Sequence, residues 1–161
     1  MEISEVIEER HVSDQDILQF AREFRTAILS DSDSAWMCAA ISGPLCAALT
    51  VQSVSCHLVE SDLGVCNHVF IQLDDGRVLD PTADQFNWCS REPLPGVYLG
   101  EKTLIHDGVP CKEFEQLWMP LLLEFKRLAP DFRGASVGQM VRGVLMTFPK
   151  DMIQMPSPTS H

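Results

Sequence analysis

The chain has 161 residues, 45% of them hydrophobic and 22% charged, which suits one folded domain and excludes a disordered or fibrous polypeptide. Residues 1–90 carry 4 Lys or Arg against 15 Asp or Glu and residues 91–161 carry 8 of each, so the net charge of −11 resides in the N-terminal part. An acidic surface repels phosphate, which argues against nucleic acid and anionic membranes as partners and favours a protein with a basic or polar patch.

No apolar run approaches the roughly 20 residues of a membrane-spanning helix, and the opening MEISEVIEERH is acidic rather than signal-like. The expected location is therefore the cytoplasm, or a host cell reached without a cleaved secretory signal. One domain is expected over 1–150, with a Pro- and Ser-rich tail over 151–161. A chain of this size can bury a core without disulfides and opens without a signal-like segment, so its six cysteines (Cys38, Cys46, Cys56, Cys66, Cys89, Cys111) are expected as reduced thiols, and with no CxxC and no short Cys/His ligand spacing a metal is not expected. No acidic loop has EF-hand spacing, and no cofactor is expected.

In chain order, Ile17, Phe20, Ala21, Phe24, Ala27 and Ile28 fall at helical spacing over 13–30, with Ser13 or Asp14 as N-cap. The polar DSDS at 31–34 offers capping side chains to a second, buried helix, AWMCAAISGPLCAALT, which places Cys38 in its first turn. Gly43-Pro44 within it predicts a kink or restart near Ser42. Alternation over Val51–Glu60 reads as a strand with Val54, Cys56 and Leu58 on one face.

Residues 66–73 and 77–80 flank Asp74-Asp75-Gly76, a hairpin signal. Residues 81–110 read as mostly irregular apart from a short strand at Val97-Tyr98-Leu99. Helices are expected over 112–128 and 135–147, with the apolar 117–128 as core or as a docking helix. The sum is an α+β fold in which N-terminal helices pack on a small antiparallel sheet and a helix follows.

The hairpin permits a geometric argument about chemistry. With a three-residue loop closed by an αL glycine, Leu73 faces Arg77 and Phe70 faces Asp80. His68 shares the Phe70 face, which sets Asp80 diagonal to it at about 5–7 Å between backbone positions. A two-residue loop would put them on opposite faces. A carboxylate on an imidazole orients the base that a cysteine nucleophile needs, and Cys38, at the positive end of a helix dipole where a thiolate is favoured, is the thiol best placed to be that nucleophile. His57 is a rival base. Gln85 and Asp84 either bond within the site loop or hold the turn after the second strand, and Trp88 and Trp118 read as core or groove-lining residues.

The order Cys38, His68, Asp80 on a helix and following antiparallel strands resembles the papain-like fold in its transglutaminase-like branch. The segment from His68 through the Asp-Gly turn to Asp80-Pro-Thr-Ala-Asp-Gln-Phe86 is similar to a string found in small bacterial and phage members. The resemblance spans 36–86 and implies Cys38 as nucleophile, His68 as base and Asp80 as orienting carboxylate. Trp36 corresponds to an aromatic or oxyanion-region position, and Trp36 and Gln85 are the expected substrate-binding residues. Met37, Phe70 and Gly43-Pro44 depart from the family pattern.

The implied activity is cysteine-dependent amide or acyl transfer on a protein through a thioester, with glutamine deamidation preferred over transglutamination or proteolysis. The small acidic chain resembles bacterial effectors. The alternative is a pseudoenzyme or binding module of the same fold that holds a basic protein through its acidic face or its apolar C-terminal helix.

Overall fold

The structure is a computed structural model and describes residues 12–30, 32–118 and 120. Helix α1 spans Asp14–Leu29 and opens with a capping box, in which the Ser13 side chain accepts from the Asp16 N–H and the Asp16 side chain accepts from the Ser13 N–H. Ser13 is thus the cap, and such a cap contributes about 1 kcal/mol. Ile17, Ala21 and Phe24 bury the expected apolar stripe.

Helix α2 spans Cys38–Val51 without interruption. Of the kink or restart expected near Ser42, the restart is absent. Pro44 costs the helix one backbone hydrogen bond, but the helix is buried from Cys38 to Leu49 and packs on the sheet, and tertiary burial outweighs that loss. The DSDS segment does not supply the cap either. Met37 is the N-cap residue and makes no side-chain cap bond, while Ser34 is drawn instead to Asp84, 2.7 Å away.

The strands are β1 (Cys56–Asp62), β2 (Asn67–Leu73), β3 (Val78–Asp80), β4 (Tyr98–Gly100) and β5 (Gly108–Pro110). They form an antiparallel sheet in the order β4-β3-β2-β1-β5. The strand expected over Val51–Glu60 is shifted, because Val51 still belongs to α2 and pairing begins only at Cys56.

In the β2–β3 hairpin Ile71 faces Leu79 and Gln72 faces Val78, the register of a three-residue loop. Gly76 has φ +93°, a conformation L side chains rarely adopt, and the Leu73 N–H donates to the Arg77 carbonyl over 2.8 Å. The stretch 81–110 is more ordered than its Pro and Gly content suggests, holding 3-10 segments at Ala83–Cys89 and Leu104–His106 besides β4 and β5.

Helix α3 is described over Lys112–Leu117. The rest of the helix expected to 128, the helix at 135–147, the domain end at 150 and the tail over 151–161 lie outside the described residues, Trp118 and Pro120 apart.

Alternation along the strands divides the interior. Leu58, Val69, Ile71 and Leu73 join α1, α2 and the buried Trp118 in the main core, whereas Val59, Phe70 and Val78 form a smaller cluster. His68 stacks on Phe70, with ring centroids 5.9 Å apart, and so lies with the smaller cluster. The coarse expectation of helices on a small antiparallel sheet is what the described residues form.

Candidate functional site

The hairpin register delivers the contact it allowed. His68 Nε2 lies 2.7 Å from Asp80 Oδ2, with both side chains fully buried. The other Asp80 oxygen accepts from the Thr82 N–H over 3.0 Å. His68 Nδ1 accepts from the Gln85 amide over 3.1 Å, and that amide also donates to Thr82 Oγ1. The Gln85 carbonyl accepts from the Trp36 N–H over 3.3 Å, so Gln85 joins the loop before α2 to the imidazole. Trp36 itself has φ +63°.

Burial disfavours the imidazolium of His68, but the charge and hydrogen bond of Asp80 outweigh it, with a further contribution from a hydrogen bond to Cys38, and its pKa is pushed up to about 10. Burial likewise opposes the Asp80 carboxylate. The charge on His68 and the hydrogen bonds from His106 and His68 overcome it and hold the carboxyl well below the usual range. Cys38, the first residue of α2, thus stands beside His68. Its N–H belongs to the first turn, where the helix itself supplies no acceptor.

A groove of about 1250 Å³ runs along this cluster, with Cys38, Gln85, Trp36 and Trp88 among its lining. Cys38 is only 1% exposed and sits at its floor, whereas Trp36 and Trp88 are 60% and 84% exposed. Cys66 and Cys89 also line this groove, and all six cysteines are unpaired thiols.

Arg25 of α1 fixes the loop that follows β3. Its guanidinium donates to both carboxylate oxygens of Asp84 and to the carbonyls of Pro81 and Gly96. Asp84 therefore holds the loop, while Gln85 both holds it and reaches the imidazole. His57 lies elsewhere, exposed on β1 and 3.8 Å from Glu115. Trp118 is core and Trp88 lines the groove.

Sequence reasoning did not single out His106. Its Nε2 lies 2.8 Å from the Asp80 oxygen that His68 also contacts. The only cue was Thr103-x-x-His106 at capping-box spacing, and the Thr103 N–H does donate to His106 Nδ1 over 3.1 Å.

His68, Asp80 and His106 have the composition of a metal site, with one ligand atom from each inside 4.8 Å. The hydrogen bonding does not fit one. A backbone N–H can only donate, so His106 Nδ1 carries the lone pair and Nε2 carries the proton, which leaves no lone pair there for a cation.

No protein-family model matches the chain, and no curated protein or solved structure matches it either.

Proposed function

We propose that the chain is a cysteine-dependent amide or acyl-transfer enzyme of the papain-like, transglutaminase-like type, acting on a protein, with glutamine deamidation the preferred reaction. The observation that carries this reading is the side-by-side placement of Cys38, at the start of a helix, with an imidazole whose far nitrogen is held by a buried carboxylate. Asp80 occupies Nε2, so Nδ1, at which the Gln85 amide is also directed, is the nitrogen left to exchange a proton with the thiol.

The Cys38 thiolate, its proton already held by His68, attacks the carboxamide carbon. The C–N bond then breaks, the departing nitrogen takes that proton, and ammonia leaves a thioester on Cys38. Water attacks the thioester, His68 removes one water proton and is again the imidazolium, and the tetrahedral intermediate expels the Cys38 thiolate and a carboxylic acid, which ionises to solvent. The Cys38 N–H, which has no acceptor within the helix, is the donor we assign to the developing oxyanion.

The test is residue-resolved iodoacetamide labelling across pH, read by mass spectrometry, on the wild type and on His68→Ala. Cys38 labels faster than the exposed Cys89 at mildly acidic pH, and His68→Ala removes that advantage. Equal labelling in the two proteins sinks the proposal. In that case the second reading takes over, a catalytically silent fold that binds a basic protein, which draws on the near-complete burial of Cys38 and the acidic N-terminal charge.

A further inference from the structure

We infer that His106 is a positioning residue for this site: it holds the Asp80 carboxylate in the one orientation from which His68 is aligned on Cys38. The inference rests on the reading of Cys38 and His68 as the reacting pair. Its own support is the geometry on the far side of Asp80.

The tautomer of His106 is set by the backbone. Thr103 N–H donates to Nδ1, and Thr103 Oγ1 lies 2.9 Å from the same nitrogen, so Nε2–H is directed at Asp80 Oδ2. One carboxylate oxygen thus takes two imidazole donors while the other takes the Thr82 N–H. With only His68 and Thr82 as partners, the carboxylate could swing to follow the imidazole. A third donor, arriving from a different element, removes that freedom.

The third donor is itself immobilised. The His106 ring lies parallel to Tyr98 of β4, within 6° at 5.7 Å, and meets Phe70 edge-on at 4.8 Å. It is fully buried. A leucine would fill an apolar site between two aromatic rings without the desolvation an imidazole incurs there, and among the described residues the hydrogen-bond partners of the imidazole are Thr103 and Asp80. The polarity of His106 is therefore directed at Asp80.

The experiment compares Cys38 alkylation rates across pH in the wild type, His106→Leu and His106→Gln, with thermal melts alongside. Gln is the conservative variant, because its Nε2 amide reaches the place of the imidazole Nε2 and can still donate to Asp80. In His106→Leu, Cys38 alkylation at pH about 6.5 falls by roughly tenfold or more and recovers at high pH, where the thiol ionises without help from the imidazole. His106→Gln keeps the wild-type profile. A folded His106→Leu with the wild-type profile overturns the inference, and so does a His106→Gln as slow as His106→Leu, which would assign the effect to ring packing alone.

Should His106→Leu fail to fold, nitrogen NMR of the histidine-labelled wild type decides instead. A proton on His106 Nε2, with Nδ1 bare, supports the inference, and the opposite tautomer overturns it. A wild-type Cys38 that labels no faster than Cys89 removes the reading on which the inference rests, an outcome distinguishable from the others because it appears before any His106 variant is made.

Discussion

The Gln85 amide donates to His68 Nδ1 over 3.1 Å, on the side of the ring opposite Asp80. The two neighbours make contrary demands: Asp80 favours the imidazolium, while a donor aimed at the Nδ1 lone pair favours the neutral ring. Gln85→Glu replaces that donor with an acceptor and keeps an oxygen for the Trp36 N–H. The His68 titration midpoint, followed by NMR, moves further upward in this variant. A midpoint that stays put or falls shows that Gln85 does not act on Nδ1.

The same pair links stability to pH. The folded pKa of His68, about 10, lies above the ordinary 6.5, so folding takes up protons between those values. Its contribution is fully present below about pH 6.5 and is lost as pH rises through about 10. Asp80 runs the other way, its stabilisation being present above the ordinary 3.8 and lost as pH falls toward its depressed folded value. Urea midpoints decline from pH 7 to 10 in the wild type, and the decline flattens in His68→Gln. Parallel curves for the two proteins would exclude the pair as the cause.

Asp80→Asn leaves a buried amide where a carboxylate now receives three N–H donors. Whichever way the amide turns, its NH2 faces a donor, either the Thr82 N–H or the two imidazoles. Loss of a buried ionic partner of this kind costs about 3–5 kcal/mol. The melting temperature falls accordingly, and Cys38 alkylation at neutral pH slows. A variant as stable as the wild type would mean that the carboxylate is solvated.

Gly43 gives a prediction whose sign is diagnostic. In an isolated helix Gly→Ala is stabilising by about 1 kcal/mol. Here a Cβ at Gly43 would overlap the indole of Trp118. Gly43→Ala therefore destabilises by about 1–3 kcal/mol, as overpacking does, in a thermal or urea titration. A stabilised variant would show that Trp118 does not lie against α2.

The site was readable in the sequence as far as local rules reach. The Asp74-Asp75-Gly76 turn needs a positive φ that glycine supplies, and that need fixed the register which brings His68 to Asp80. Likewise Ser13 and the apolar spacing after it defined α1. What stayed hidden depends on partners distant in the chain. Pro44 reads as a helix breaker until α2 is seen to be buried along almost its whole length. The start of β1 at Cys56 follows from its pairing with Leu73 rather than from its own alternation. His106 lies 26 residues beyond Asp80 on a single 3-10 turn, where no periodicity marks it.

Arg25 joins α1 to the loop after β3 through one guanidinium, and Gly96 is bare because a Cβ there would strike that guanidinium. The segment carrying Thr82 and Gln85 thus depends for its shape on a helix that contributes none of the proposed reacting side chains. Opening of α1 and slackening of this loop become one event, so that the residues around the imidazole acquire the lifetime of the helix rather than that of a surface loop. The proposed chemistry would then be switched off by the opening of α1, at the N-terminal end of the described residues.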